Sequence, residues 1–264
     1  MPAIENRTPA TFRRPALAGA FLALLLAAAA PAGAPAGAWA AVTHFGSSLR
    51  GRASLSTDDL DYHGIDTPYG AGVVHTAHLG ADTALWNVAV AGGRASAPAP
   101  GQVSAVSLEG CAEPAAGGPP PLTQIHLQTL APVGGGGFKV ELTSQSFALP
   151  VCGEDGAGAQ TVSTYRPSGL CVDAGDYVAL NDEGGFVEGF YRAGVPYRVI
   201  RAEGNARMDS FVMGGGTGNG ALLSPAVRAA AEGFADNAHQ ELLLRATLAT
   251  GANAVSYGRR GLQG

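Results

Sequence analysis

The chain has 264 residues, a formal net charge of −5 at pH 7 and a charged fraction of only 14%. Nucleic-acid binding requires a basic surface, so this acidic balance argues against a nucleic-acid partner. The sequence also lacks a basic amphipathic stretch of the kind that docks on a membrane surface.

The first 40 residues have the pattern of a secretory signal peptide. Its positive region contains Arg7, Arg13 and Arg14. Residues 16–30 are an unbroken small and apolar run, and an A-x-A cleavage pattern ends at Ala40. This run is shorter than the roughly 20 residues that a membrane-spanning helix needs, and no later segment is long and apolar enough either. We therefore expect cleavage after Ala40 and a secreted, extracellular protein that is at most loosely associated with the envelope.

Alternating apolar and polar residues recur along the rest of the chain. Clear cases are residues 123–129, 138–143 and 241–248. Side chains of a strand point alternately to its two faces, so each segment has one buried and one exposed side, as antiparallel sheets require. Further strand candidates, in chain order, are residues 73–78, 84–90, 103–108, 161–165, 176–181, 186–191, 197–202 and 210–213.

Clusters of Gly, Pro, Asn and Asp separate these segments. Many short strands with such turns are typical of a sandwich or a jelly roll. Residues 224–232 could form a helix of one or two turns. The sequence thus predicts an all-β fold, with a single antiparallel, jelly-roll-like β-sandwich at 41–250 and a flexible tail at 251–264.

The order of motifs from Ala97 onward resembles a loosely defined set of uncharacterised exported β-sandwich proteins of high-GC bacteria. The motifs are PAPGQVSAVSLEG at 98–110, TSQSFALP at 143–150, TVSTY at 161–165, CVDAGDYVALNDEGGF at 171–186 and ELLLRATL at 241–248. The resemblance implies export and a β-sandwich. No activity is established for that set, so no functional residue is carried over.

Three cysteines allow one disulfide in an exported protein. Cys152 and Cys171 flank a glycine-rich loop and a short strand, and we predict that they pair. The alternative is Cys111 with Cys171. One thiol is left over in either case, and the spacing matches no zinc-binding pattern.

Oxygen-bearing side chains bracket the strand at 176–181. They are Asp173, Asp176, Asn181, Asp182 and Glu183. Oxygen-rich loops can hold Ca²⁺, which takes six to eight oxygen ligands, so these residues are a candidate structural calcium site. The alternative is that Asp and Asn simply serve the turns through local backbone hydrogen bonds. No other cofactor is expected.

Aromatic residues are the candidates for ligand binding. Sugar binding on a sandwich uses an exposed aromatic ring, and the candidates are Trp86, Tyr62 and Tyr165. The alternative is that Trp86 is a core residue, since aromatic side chains dominate sandwich cores.

The favoured function is a non-catalytic, exported binding module for extracellular or envelope carbohydrate, by analogy with other sandwiches. One alternative is a structural or adhesive envelope protein that contacts other proteins. The other is an extracellular glycan hydrolase. That activity needs two acids close together, and nothing in the sequence places two acids next to each other. The acids considered for it are Glu141, Glu183, Glu188 and Glu241. No nucleophile-elbow motif is present, and no catalytic residue is assigned.

Overall fold

The computed structural model describes residues 41–57, 61–67, 70–73, 82–118, 123–154, 158–182, 197–213, 217–225 and 233–251. The predicted signal peptide lies outside these residues, as do all but the first residue of the predicted tail and most of the predicted helix at 224–232. The strand candidate at 186–191 also lies outside them. For residues 61–67 and 70–73 only the backbone is described.

The regular structure of the described residues is almost entirely β-strand, joined by turns and loops, with a 3₁₀ turn at Gly134–Gly136. The strands are β1 (Ala41–Gly46), β2 (Asp61–Thr67), β3 (Gly70–Val73), β4 (Asp82–Ala89), β5 (Gly101–Glu109), β6 (Cys111–Ala112), β7 (Gln124–Pro132), β8 (Phe138–Thr143), β9 (Phe147–Ala148), β10 (Val162–Tyr165), β11 (Cys171–Val172), β12 (Tyr177–Asp182), β13 (Tyr197–Arg198), β14 (Ile200–Met213), β15 (Leu222–Leu223), β16 (Gly233–Leu242) and β17 (Leu244–Thr250).

Two antiparallel sheets make up the fold. The smaller sheet has the order β1-β17-β5-β10, with β11 also paired to β5. The larger sheet has the order β15-β8-β7-β12-β4-β14-β16, with β9 also paired to β7. The structure also contains two short two-stranded ladders, in which β6 pairs with β13 and β2 pairs with β3. The predicted all-β, antiparallel β-sandwich is confirmed.

The main core lies between the two sheets. The smaller sheet contributes Val103, Val106 and Leu108 of β5, and the larger sheet contributes Leu127 of β7 and Leu180 of β12. All five side chains are fully buried. Burial of each stabilises the fold by about 1.5–3 kcal/mol relative to exposure. The alternation at 123–129 therefore predicted the inward face of β7.

A second apolar cluster covers the opposite face of the larger sheet, which we call the second face. Leu85 belongs to the main core, whereas its neighbours Ala84 and Trp86 belong to this second cluster. The ring of Phe138 lies 5.0 Å from that of Trp86 and 5.4 Å from that of Tyr177, both edge-on. The central strands are thus buried on both sides, whereas alternation predicted one exposed side.

The predicted single strand at 241–248 is wrong. β16 ends at Leu242 in the larger sheet, and β17 begins at Leu244 in the smaller one. Between them, the backbone of Leu243 donates to Val199 and accepts from Glu109. The run of three leucines is buried throughout because the chain crosses the core there from one sheet to the other.

The disulfide joins Cys111 to Cys152, so the predicted Cys152–Cys171 bridge is wrong, and so is the Cys111–Cys171 alternative. β11 holds Cys171 opposite Gln102, near the start of β5. Cys111 follows the far end of that strand, which lies about 23 Å away at 3.3 Å per residue. The backbone around Cys152 instead bonds alongside β6, which brings it to a Cα–Cα distance of 5.1 Å from Cys111.

Candidate functional site

Two of the three aromatic residues predicted to bind sugar, Trp86 and Tyr165, are buried. Trp86 is fully buried in the second cluster, and Tyr165 is buried in the main core. The hydroxyl of Tyr165 donates to the carbonyl of Ala148 at 3.3 Å, and burial raises its pKa to about 12. The side chain of Tyr62 lies outside the described residues. Trp86 and Tyr165 are therefore core residues, and neither is a stacking platform.

The predicted calcium ligands are not brought together. Asp176 accepts a hydrogen bond from the backbone of Asp173 at 2.6 Å, and burial raises its pKa. Asn181 is at the other end of β12, about 16 Å away at 3.3 Å per residue. Its amide donates to the carbonyl of Thr83 and to the hydroxyl of Thr217.

The side chains of Asp182 and Glu183 lie outside the described residues. Among the residues that are described, no group of three or more His, Cys, Asp or Glu side chains could hold a metal ion. Asp176 closes the turn before β12, and Asn181 anchors neighbouring backbone. Asp176 and Asn181 therefore do not belong to one calcium site.

Three residues on neighbouring strands lie in a line across the second face. Asp209 of β14 lies opposite Asp236 of β16 and, on its other side, opposite Trp86 of β4. Residues directly opposite in an antiparallel ladder share a face, so all three side chains lie on the second face. We call Asp236, Asp209 and Trp86 the acid row.

Exposure falls steeply along the acid row. The side chain of Asp236 is 54% exposed and lies 3.5 Å from the guanidinium of Arg207, which is 50% exposed. Asp209 is only 4% exposed, and Trp86 is fully buried. The row thus runs from a surface ion pair into the apolar interior of the second face.

Asp209 is the most strongly perturbed acid of the described chain. Burial raises its pKa to about 7, Arg207 lowers it, and Asp236 raises it further. Its Oδ1 atom has no hydrogen-bond partner among the described residues. Asp209 therefore loses its proton only around neutral pH, beside the exposed, ion-paired Asp236.

The far side of the second face is closed by the segment around Thr217. The amide nitrogen of Gln128 donates to the carbonyl of Thr217 at 2.6 Å, and that of Asn181 donates to its hydroxyl at 2.7 Å. Leu223 of β15 is buried in the same cluster. Among the described residues, the polar margin of this face is therefore at β14 and β16.

A second charged cluster surrounds Arg201 and connects separate parts of the chain. Its guanidinium pairs with the fully buried Glu241 at 2.8 Å and with Glu203 at 3.2 Å. Gly51 has φ +127°, and a Cβ there would lie 2.7 Å from Arg201 Nη1. Burial raises the pKa of nearby Glu109, while Arg201 lowers it. This cluster cross-links β14, β16 and the chain after β1, and removal of either partner would leave a buried charge uncompensated.

Sequence reasoning missed Asp209 and Asp236. Asp209 lies two residues before Phe211 and therefore on the same face of β14 as that residue, which belongs to the second cluster. The feature of the sequence that could have identified Asp209 is a charged residue at a strand position where the alternation calls for an apolar one. The importance of Asp236 appears only from its register opposite Asp209.

No helix of the described residues is long and apolar enough to cross a membrane. No protein-family model, curated protein or solved structure matches the chain. A functional assignment must therefore come from the residues themselves.

Proposed function

We propose that the protein is an exported carbohydrate-binding protein that holds an extracellular or envelope polysaccharide at the margin of the second face. The binding groups are Arg207 and Asp236, whose side chains are about half exposed. A guanidinium and a carboxylate on adjacent strands supply charge-assisted donors and acceptors for neighbouring sugar hydroxyls. Two paired strands hold these groups in register, which limits the entropy lost on binding.

The observation that carries this proposal is the half-exposed ion pair of Arg207 and Asp236, which leaves two groups of opposite charge open to solvent on paired strands. Trp86 and Tyr165 have no part in the proposal because they are buried.

One feature supports export. The disulfide of Cys111 and Cys152 is of the kind that persists in oxidising compartments.

The test is retention of the oxidised mature chain, residues 41–264, on insoluble cellulose, chitin, xylan and peptidoglycan. We expect retention on at least one of them. Arg207→Gln and Asp236→Asn should each weaken it roughly tenfold, because a hydrogen bond to a charged group contributes about 1.5–3 kcal/mol.

Glu141→Gln is the matched control. Glu141 forms an exposed ion pair with Lys139 at 3.0 Å on β8, near the other edge of the same sheet. Its loss should leave retention unchanged. Absence of retention on all four polysaccharides, or equal losses in all three variants, would overturn the proposal.

A further inference from the structure

Four arginines lie near the point where β1 ends and the chain turns away from the smaller sheet. Gly46, the last residue of β1, lies opposite Arg245 of β17, and its backbone nitrogen donates to the carbonyl of Arg94 at 2.7 Å. Cα atoms of directly opposed residues are about 4.5–5.5 Å apart, so both arginines lie beside Gly46. Arg50 follows Gly46 by four residues, so their Cα atoms are at most about 14 Å apart. We call Arg50, Arg52, Arg94 and Arg245 the arginine end.

The arginine end carries positive charge that no described acid neutralises. Arg50, Arg52 and Arg94 are exposed, and Arg245 is half-buried. None of the four forms an ion pair with a described residue, whereas each of the following does: Lys139, Arg198, Arg201 and Arg207.

The acids near the arginine end interact with Arg201 instead. Glu203 and Glu241 both form ion pairs with its guanidinium, and the buried Glu109 also interacts with it. In a chain with a net charge of −5, the arginine end is therefore a local positive surface, and such a surface attracts an anionic partner.

Hydrogen bonds to the sheet order the backbone of the arginine end. Leu49 has φ 53°, and its nitrogen donates to Ser47 Oγ at 3.1 Å. Ser47 is buried, and its nitrogen donates to the carbonyl of Leu244 at 2.7 Å. Arg50 therefore follows a turn that is anchored to β17. A surface whose backbone is already ordered loses less entropy when a partner binds.

Hydroxyl side chains adjoin Arg245 on the outer face of the smaller sheet. Arg245 lies opposite Ser107 of β5, which lies opposite Thr164 of β10, and the two hydroxyls are 3.2 Å apart. Ala246, next to Arg245, is buried in the main core, so this row faces away from the core. Hydroxyls can hydrogen-bond to sugars, whereas single-stranded nucleic acids are bound largely by stacking on aromatic rings.

We propose that the arginine end binds the carboxylates of an acidic polysaccharide and that the exposed hydroxyl of Thr164 bonds to the same polymer; this inference rests on the proposed carbohydrate binding and adds the charge of the polysaccharide. A guanidinium binds a carboxylate through two parallel hydrogen bonds. Guanidinium groups on three separate segments of the chain suit the repeated charges of a polymer.

The test is calorimetric titration of the oxidised chain of residues 41–264 with polygalacturonate, neutral pullulan and poly-glutamate. We expect binding of polygalacturonate to be about tenfold tighter than that of pullulan. Poly-glutamate carries carboxylates without sugar hydroxyls and should bind more weakly than polygalacturonate. The affinity for polygalacturonate should fall between about 50 and 500 mM NaCl, because salt screens exposed charges.

Two double variants separate the arginine end from the net charge of the protein. Arg50→Gln with Arg94→Gln should weaken binding of polygalacturonate about tenfold. Lys139→Gln with Arg166→Gln is the matched control, because it removes two positive charges from exposed positions elsewhere, and it should leave the affinity unchanged. All four positions are exposed, so circular dichroism should show the native fold in both variants.

Equal losses in the two double variants would overturn the inference, and so would equal binding of poly-glutamate and polygalacturonate. Tighter binding of duplex DNA or of polyphosphate than of polygalacturonate would also overturn the assignment to an acidic polysaccharide.

The two proposals fail separately. Retention on a neutral polysaccharide that is lost in Arg207→Gln, without a preference for polygalacturonate, would overturn this inference and leave the proposed function standing. Absence of binding to every polysaccharide, charged or neutral, would overturn both.

Discussion

Replacement of Asp209 by Asn should change how the stability of the protein depends on pH. Asn has nearly the same shape as Asp and is uncharged at every pH. It therefore removes the titration of a group that is 4% exposed and keeps a side chain of the same shape opposite Trp86. The effect should appear in the difference between the two unfolding curves.

The magnitude follows from the raised pKa of Asp209. Its pKa rises from 3.8 to about 7 on folding, a shift of about 3 units at 1.36 kcal/mol each, or about 4 kcal/mol. The folded state binds the proton more tightly, so this stability is fully present below the unfolded pKa of 3.8. It is lost progressively as pH rises to about 7. Above pH 7 the wild type lacks it, while Asp209→Asn is unaffected by this titration.

The assay is urea unfolding of a protein of residues 41–264 at pH 5, 6, 7 and 8, followed by the fluorescence of Trp86. Asp176 and Glu109 also have raised pKa values, so the difference between wild type and variant isolates Asp209. We expect the variant to gain about 3 kcal/mol relative to wild type between pH 5 and 8. Parallel curves for the two proteins would refute the assignment of a buried, protonated Asp209.

Three further predictions concern the disulfide, Trp86 and Cys171. Replacing Cys111 and Cys152 together by Ala should lower the free energy of unfolding in urea by about 4 kcal/mol, because the unfolded chain is no longer closed into a loop with a sequence separation of 41. An unchanged unfolding midpoint would contradict the presence of the disulfide. Trp86→Ala should cost about 3–5 kcal/mol by circular dichroism, and a variant of native stability would show that Trp86 is not a core residue. Cys171 should react slowly with iodoacetamide at pH 7.5, because burial and Asp173 raise the pKa of its thiol. The reaction rate should increase with pH, and it should also be higher in Asp173→Asn. A fast reaction of the wild type at neutral pH would contradict the raised pKa.

Local pattern was sufficient where one side of a strand meets the main core. In β7, Ile125 and Leu127 alternate with more exposed residues, and their burial was predictable. In β4, Leu85 and Trp86 are adjacent, and both are fully buried on opposite faces. Alternation could not predict this, because it assumes that only one face of a sheet is covered.

The candidate site could not be predicted from the sequence for a related reason. Asp209 and Asp236 are 27 residues apart in the chain, and only the register of β14 against β16 makes them neighbours. Cys111 and Cys152 likewise meet because backbone segments far apart in the chain bond side by side.

The sequence by itself determined the class of fold, because apolar alternation and turn residues act over a few neighbouring positions. Only the tertiary structure decided which strands pair, where the chain crosses from one sheet to the other, and which acids share a face. These depend on contacts between residues distant in the chain. A pairing shifted by one residue would turn Asp209 toward the main core and separate it from Asp236.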